Sequence, residues 1–218
     1  MPSQRLTSHP PVPIAMGTGD TRTEEGRAFY QSRLALLGQW ICLVSGSFLV
    51  FFGGLRTLQG VAPNSGMLFH AISTALAGLV WALGSRGRLS MAQMQWVDIG
   101  GTSVICAGFA AMVVGYARLM LEAGQDASTA IFAGLLATNY TLLARAIAIP
   151  STTARTLLVG LGSMVPLLLA AGRTFSIGEA AGRPLAATFV DVVPWQLGGV
   201  AMSVVASRVI FGLRKEVA

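Results

Sequence analysis

Four strongly polar side chains interrupt long apolar stretches of this chain: Asp98, Asn139, Arg145 and Asp191. Surrounded by hydrocarbon, such groups are costly, so they mark either a polar path or a contact between helices. Asp98 and Arg145 carry opposite charges, and their stretches place both at similar depth. They are expected either to pair or to reach separately toward an aqueous boundary. Asn139 falls in mid-stretch, where its ordinary use is a hydrogen bond to a neighbouring helix. Asp191 precedes Pro194 and Trp195, a grouping that starts and anchors a helix: a carboxylate near the N-terminus, a proline in the first turn and an interfacial tryptophan.

No reaction chemistry is spelled out beside these groups. Cys42 and Cys106 are both embedded in apolar sequence without a Cys or His at ligand spacing. Neither a disulfide framework nor a zinc site is therefore expected. His9 and His70 form no pair for haem or metal, and a lone histidine in a span is ordinarily a helix–helix hydrogen-bond partner. The segment "GTGDTR" at 17–22 lacks the third glycine and the preceding strand of a nucleotide loop. No kinase or zinc-hydrolase motif occurs. Catalytic, cofactor-binding and metal-ligating residues are all expected to be absent, and so are cofactors.

The elements that position the polar groups follow from composition. Apolar residues make up 53% of the chain and charged ones only 11%, against about 25% charged in a soluble domain. Six apolar stretches approach the length that crosses about 30 Å of hydrocarbon as helix. They lie near 34–53, 66–84, 96–117, 127–149, 155–171 and 190–211; the fifth is short and carries Pro166. The expected fold is all-α, a polytopic membrane bundle of six transmembrane helices. Residues 1–30 are expected to form a disordered segment rich in Pro and Thr, residues 31–211 the membrane domain and 212–218 the start of a connector helix. The polar lead is too long, and the first apolar run too long, for a secretory signal.

Arginine and lysine placement sets the direction. Of the fifteen basic residues, eleven fall on the side shared by both termini, and only Arg56, Arg118, Arg173 and Arg183 fall on the other. Both termini are thus expected in the cytoplasm, in a multi-pass protein of the cell inner membrane. The net charge of +6 then reports topology. The basic residues are scattered singly, so nucleic acid is not an expected partner; the lipid bilayer is.

Near the C-terminus Val205, Val209, Leu213 and Val217 recur every four residues, while Arg208 and Lys215 stand seven apart on another face. This pattern fits a rigid connector leaving the membrane. The other reading is an amphipathic tail lying on anionic lipid.

Three stretches, "RLALLGQW" at 33–40, "LLARAIAIPSTTARTLL" at 142–158 and "VASRVIFGLRKEV" at 205–217, resemble the six-helix membrane module of bacterial eukaryotic-like serine/threonine protein kinase receptors. The likeness runs over most of the chain from Arg33 onward. It implies a non-catalytic sensor or anchor module, coupled through its last helix to a cytoplasmic effector. Its implied partners are a second copy or a full-length receptor kinase. The chain stops where the linker to that kinase would begin, so no catalytic residue carries over. The alternative is a small membrane transporter or channel, with Asp98, Asn139, Arg145 and Asp191 along its path.

Overall fold

In hydrocarbon there is no water to satisfy a backbone amide, so each apolar stretch must bond internally as a helix. The computed structural model describes residues 24–60, 62–87, 89–182 and 189–217, with side chains described for all of these except 189 and 211–217. Among them lie six α-helices: α1 (Glu24–Leu58), α2 (Ser65–Arg86), α3 (Met91–Glu122), α4 (Ser128–Ala148), α5 (Thr153–Ala180) and α6 (Phe189–Val217). The described residues contain no strand. Each helix includes a segment long and apolar enough to cross a membrane. The protein is an all-α six-helix bundle suited to a lipid bilayer, with α1 starting and α6 finishing at the same end.

Local chemistry stops the helices further out than the apolar runs do. Asn64 caps α2 by accepting from Met67 N at 3.0 Å. Ser90 and Gln93 close a reciprocal capping box on α3, and Thr152 caps α5 by accepting from Arg155 N at 3.3 Å. The three helices that run away from the termini, α1, α3 and α5, are each followed by a glycine with positive φ: Gly60, Gly124 and Gly182. Past α3, Gln125 N donates back to the Met120 carbonyl at 2.8 Å, the bond that closes a helix over a left-handed residue.

These ends correct several sequence-based boundaries. Residues 24–30, expected in the disordered lead, form the first turns of α1. The cause is that Tyr30 extends the buried stripe of Leu34, Leu37 and Ile41, so packing holds these turns. Residues 1–23 lie outside the described residues. α3 begins at Met91, which sets Asp98 two turns inside the helix instead of at its edge. α5 continues through Pro166 to Ala180; the proline removes one intrahelical bond, and the flanking turns carry the helix on. Because α6 begins at Phe189, Pro194 sits in the second turn and not the first. The backbone of α6 stays helical through Val217, while the side chains of Leu213, Lys215 and Val217, and Ala218 altogether, lie outside the described residues.

α3 is the hub, packing on α2, α4 and α5, and α6 closes against α4 and α5. One core joins α1, α2 and α3 through Leu34, Leu37, Ala77, Val80, Met94 and Phe109, with Tyr30 and Ile149 at one end. A second joins α3, α4 and α5 through Val113, Ile131, Leu135 and Leu167, with Val192 of α6. A small third core gathers Leu142, Val159, Met164 and Val200. Large apolar side chains on every helix face outward, among them Phe51, Leu68, Trp96, Leu136, Leu158 and Val190. That outer surface suits lipid.

Candidate functional site

Asp98 lies on the stripe of α3 that buries Met94, Thr102 and Ile105, so helical periodicity alone turns its carboxylate inward. Arg145 sits likewise on the buried stripe of α4 with Thr138, Thr141 and Leu142. The two meet in a bidentate ion pair. Arg145 Nε donates to Asp98 Oδ1 and Arg145 Nη2 to Asp98 Oδ2, both at 2.7 Å. Their side chains are 1% and 0% exposed.

Two further groups complete the arrangement. Arg155, in the first turn of α5, donates from Nη2 to Asp98 Oδ2 at 3.0 Å. The Tyr30 hydroxyl of α1 donates to the same oxygen at 3.1 Å and accepts from Arg155 Nη2 at 3.2 Å. One carboxylate thus ties α1, α3, α4 and α5 together. It faces two guanidinium groups, leaving a single positive charge in excess within this cluster. It takes four hydrogen bonds, one on Oδ1 and three on Oδ2, and two of its partners are cations, so it acts as a clasp.

The same end of the bundle draws in the remaining helices. Gln31, next to Tyr30, donates from Nε2 to the Gly84 carbonyl of α2 at 3.0 Å and also reaches the Gly87 carbonyl. Thr156 Oγ1, next to Arg155, donates to Ser207 Oγ of α6 at 3.2 Å, and Ser207 Oγ in turn donates to the Ser151 carbonyl at 3.1 Å. All six helices therefore meet in polar contacts at the arginine-rich end.

Asn139 and Asp191 stand apart from this clasp. Asn139 lies against Gly199 of α6 and donates from Nδ2 to the Trp195 carbonyl at 3.4 Å. At that length the bond is weak. Asn139→Ala is expected to lower stability by only about 0.6 kcal/mol, the mean for interhelical side-chain bonds in a membrane. Reversible unfolding in mixed micelles measures it. Asp191 is exposed in the first turn of α6, far along that helix from Ser207. The four sequence-derived polar residues thus resolve into one bonded pair and two separate positions.

His70 pairs across helices, its Nε2 lying 3.0 Å from Ser45 Oγ of α1, which in turn lies 2.7 Å from Thr74 Oγ1. On α6, Val205, Arg208 and Val209 are exposed, so the described part of the connector stripe faces outward. The bundle-facing stripe is Val192, Gln196, Val200, Ser203 and Ser207. Among the described residues no three His, Cys, Asp or Glu side chains gather into a metal-binding group.

Sequence reasoning missed Tyr30, Arg155 and Gln196. Tyr30 was legible as the start of the four- and three-residue spacing to Leu34 and Leu37. Arg155 follows the "STT" cap signal by one helical turn, which puts it at the depth of Arg145. Comparison with protein-family models, with curated proteins and with solved structures finds no match to this chain.

Proposed function

We propose that this chain is a non-catalytic sensor or anchor module of a serine/threonine-kinase-type receptor, resident in a bacterial inner membrane with both termini cytoplasmic. The observation that carries this reading is the length and anchorage of α6. Its 29 residues span about 44 Å at 1.5 Å per residue, against about 30 Å of hydrocarbon. Its apolar run, near 190–211 in the sequence, ends before the helix does, which continues through Val217. Where it leaves that run, Ser207 fastens it to the start of α5, beside the Asp98 clasp. A continuous rod held at a rigid collar transmits rotation or axial displacement, and shifts of 1–2 Å are typical of helices that switch partners. The bias of Arg and Lys toward this end supports its cytoplasmic placement. A second copy, or a full-length kinase of the same build, is the proposed partner through which such a shift is read.

The transporter alternative draws no comparable support from the polar residues named for it. Asp98 and Arg145 are bound to each other, Asn139 rests on Gly199, and Asp191 lies at the opposite end.

The test joins the full chain, after Ala218, to a reporter kinase in a bacterial inner membrane, with one to four alanines inserted at the junction. Each inserted residue turns the effector by about 100°. Reporter output is expected to rise and fall with insertion number. Output that stays flat across the series, alongside solute flux through liposomes holding the unfused chain, would replace this reading with the transporter one.

A further inference from the structure

Hydroxyls in the helices of this protein usually satisfy themselves on the carbonyl four residues back. Ser73, Thr141, Ser176 and Ser203 all do so, at 2.8–3.0 Å. Thr138 of α4 and Ser163 of α5 do not, although both are 0% exposed. Their oxygens have no hydrogen-bond partner, and neither do Nε2 and Oε1 of Gln196 on α6, also 0% exposed. Thr174, three turns further along α5, shares this state; Thr138, Ser163 and Gln196 hold unused donors and acceptors on three different helices.

Helix packing puts them in one layer. Gln196 lies one turn from Val192, which belongs to the α3–α4–α5 core, and one turn from Val200, which packs with Leu142, Val159 and Met164. Thr138 lies one turn from Gly134, whose face meets Val113 and Leu167, and one turn from Leu142. Ser163 sits between Gly160, which faces Val200, and Leu167. The Cys106 thiol of α3 lies beside Ser163 without giving its hydroxyl a bond of normal geometry. A polar layer therefore separates two apolar cores near the middle of the bundle.

The chemistry of the layer selects an uncharged occupant. An amide and two hydroxyls offer both donors and acceptors and no formal charge. The described charges nearest this layer along these helices are Asp191, five residues from Gln196, and Arg145 and Arg155, seven and eight residues from Thr138 and Ser163, or about 8–12 Å away. With Asp98 these sum to no net charge, so nothing around the layer favours an ion of either sign. Buried groups left without protein partners are ordinarily completed by internal water, each molecule making two to four hydrogen bonds.

We infer that Thr138, Ser163 and Gln196 form an internal water-binding site in the middle of the membrane, bridging α4, α5 and α6. Exchangeable water links, in place of dry packing, then join α6 to its neighbours at this depth. The inference rests on burial and unused hydrogen-bonding groups, and holds whether or not the chain is a receptor module.

Solid-state NMR of the full ¹⁵N-labelled chain in liposomes tests it through magnetisation transfer from water to the Gln196 side-chain amide, assigned by its loss in Gln196→Leu. A water cross-peak is expected in the unaltered protein, and it is expected to vanish in the Thr138→Val/Ser163→Ala variant, where the amide itself remains. An unaltered protein without that cross-peak, or with transfer to the amide only from a neighbouring hydroxyl, would overturn the inference; so would a cross-peak that persists undiminished in the double variant. The decisive spectrum needs no substitution, so a variant that fails to fold does not remove the test.

Discussion

Asp98→Ala is expected to be the most damaging single substitution in the described protein, lowering stability by about 3–5 kcal/mol, the range for removing one partner of a buried ion pair. The change strands Arg145, whose side chain is 1% exposed, and leaves Arg155 without its counter-charge. It also removes the acceptor of the Tyr30 hydroxyl. Against a typical total stability of about 5–15 kcal/mol, a loss of this size largely unfolds the bundle. Arg145→Met should cost less, because Asp98 keeps Arg155 and Tyr30. Arg155→Met should cost less again, since its side chain is 23% exposed and water takes over part of its role. Tyr30→Phe removes the hydroxyl's bonds to Asp98 and Arg155 but leaves both ion pairs in place, and should cost about 1.5–3 kcal/mol, the range for a hydrogen bond to a charged group. Thermal unfolding in one detergent ranks the series, and an Asp98→Ala variant no less stable than Tyr30→Phe contradicts the clasp.

The geometry also says how a charge exchange behaves. Asp98→Arg with Arg145→Asp restores a pair between α3 and α4, yet sets the new arginine at position 98 against Arg155 and the Tyr30 hydroxyl. Recovery is therefore partial, and adding Arg155→Met improves it. In an isolated Asp–Arg pair the exchange alone would restore nearly everything. Non-additivity of this sign is what groups in one network show.

Hydropathy made the six helices legible, because a bilayer imposes one requirement on every span. The similar depth of Asp98 and Arg145 was legible for the same reason. Their other partners were not, since depth along a helix says nothing about which helices are neighbours. From sequence, Arg155 is only a topology charge at the start of the fifth apolar stretch, and a charge count is indifferent to where a guanidinium points. Tyr30 sat among polar residues before the first apolar run, where its spacing to Leu34 carried less weight than the surrounding composition. Helix ends were underestimated wherever a glycine cap lay beyond the apolar window: Gly124 and Gly182 set the ends of α3 and α5 further out than hydropathy did. Gln196 sits beside Trp195 and Leu197 in an apolar run, and only the packing of α6 on α4 and α5 shows that it points inward. The valines at 205 and 209 show the reverse, a regular stripe that faces away from the bundle.

The same substitution on one helix is expected to have opposite signs at two places. At Gly115 of α3 a new Cβ would overlap the backbone of Gly66 on α2, and a Cβ on Gly66 would lie 2.8 Å from Tyr116 N. Backbone meets backbone there, so no side chain can rotate away and the helices must part. Gly115→Ala should therefore cost about 1–3 kcal/mol or more, as overpacking of a close core does. Gly100, four turns earlier, has nothing within 4 Å of its would-be Cβ. Gly100→Ala should stabilise by up to about 1 kcal/mol through helix propensity alone. α1 and α2 repeat the close approach at Gly84, whose Cβ would lie 2.6 Å from Ala35 N, so Gly84→Ala should follow Gly115→Ala. These contacts hold α1, α2 and α3 as one unit behind the Asp98 clasp, and losing them also displaces the Gln31 bond to the Gly84 carbonyl. Unfolding of the three alanine variants in one detergent measures the contrast; if Gly115→Ala proves as harmless as Gly100→Ala, α2 does not lie backbone-to-backbone on α3.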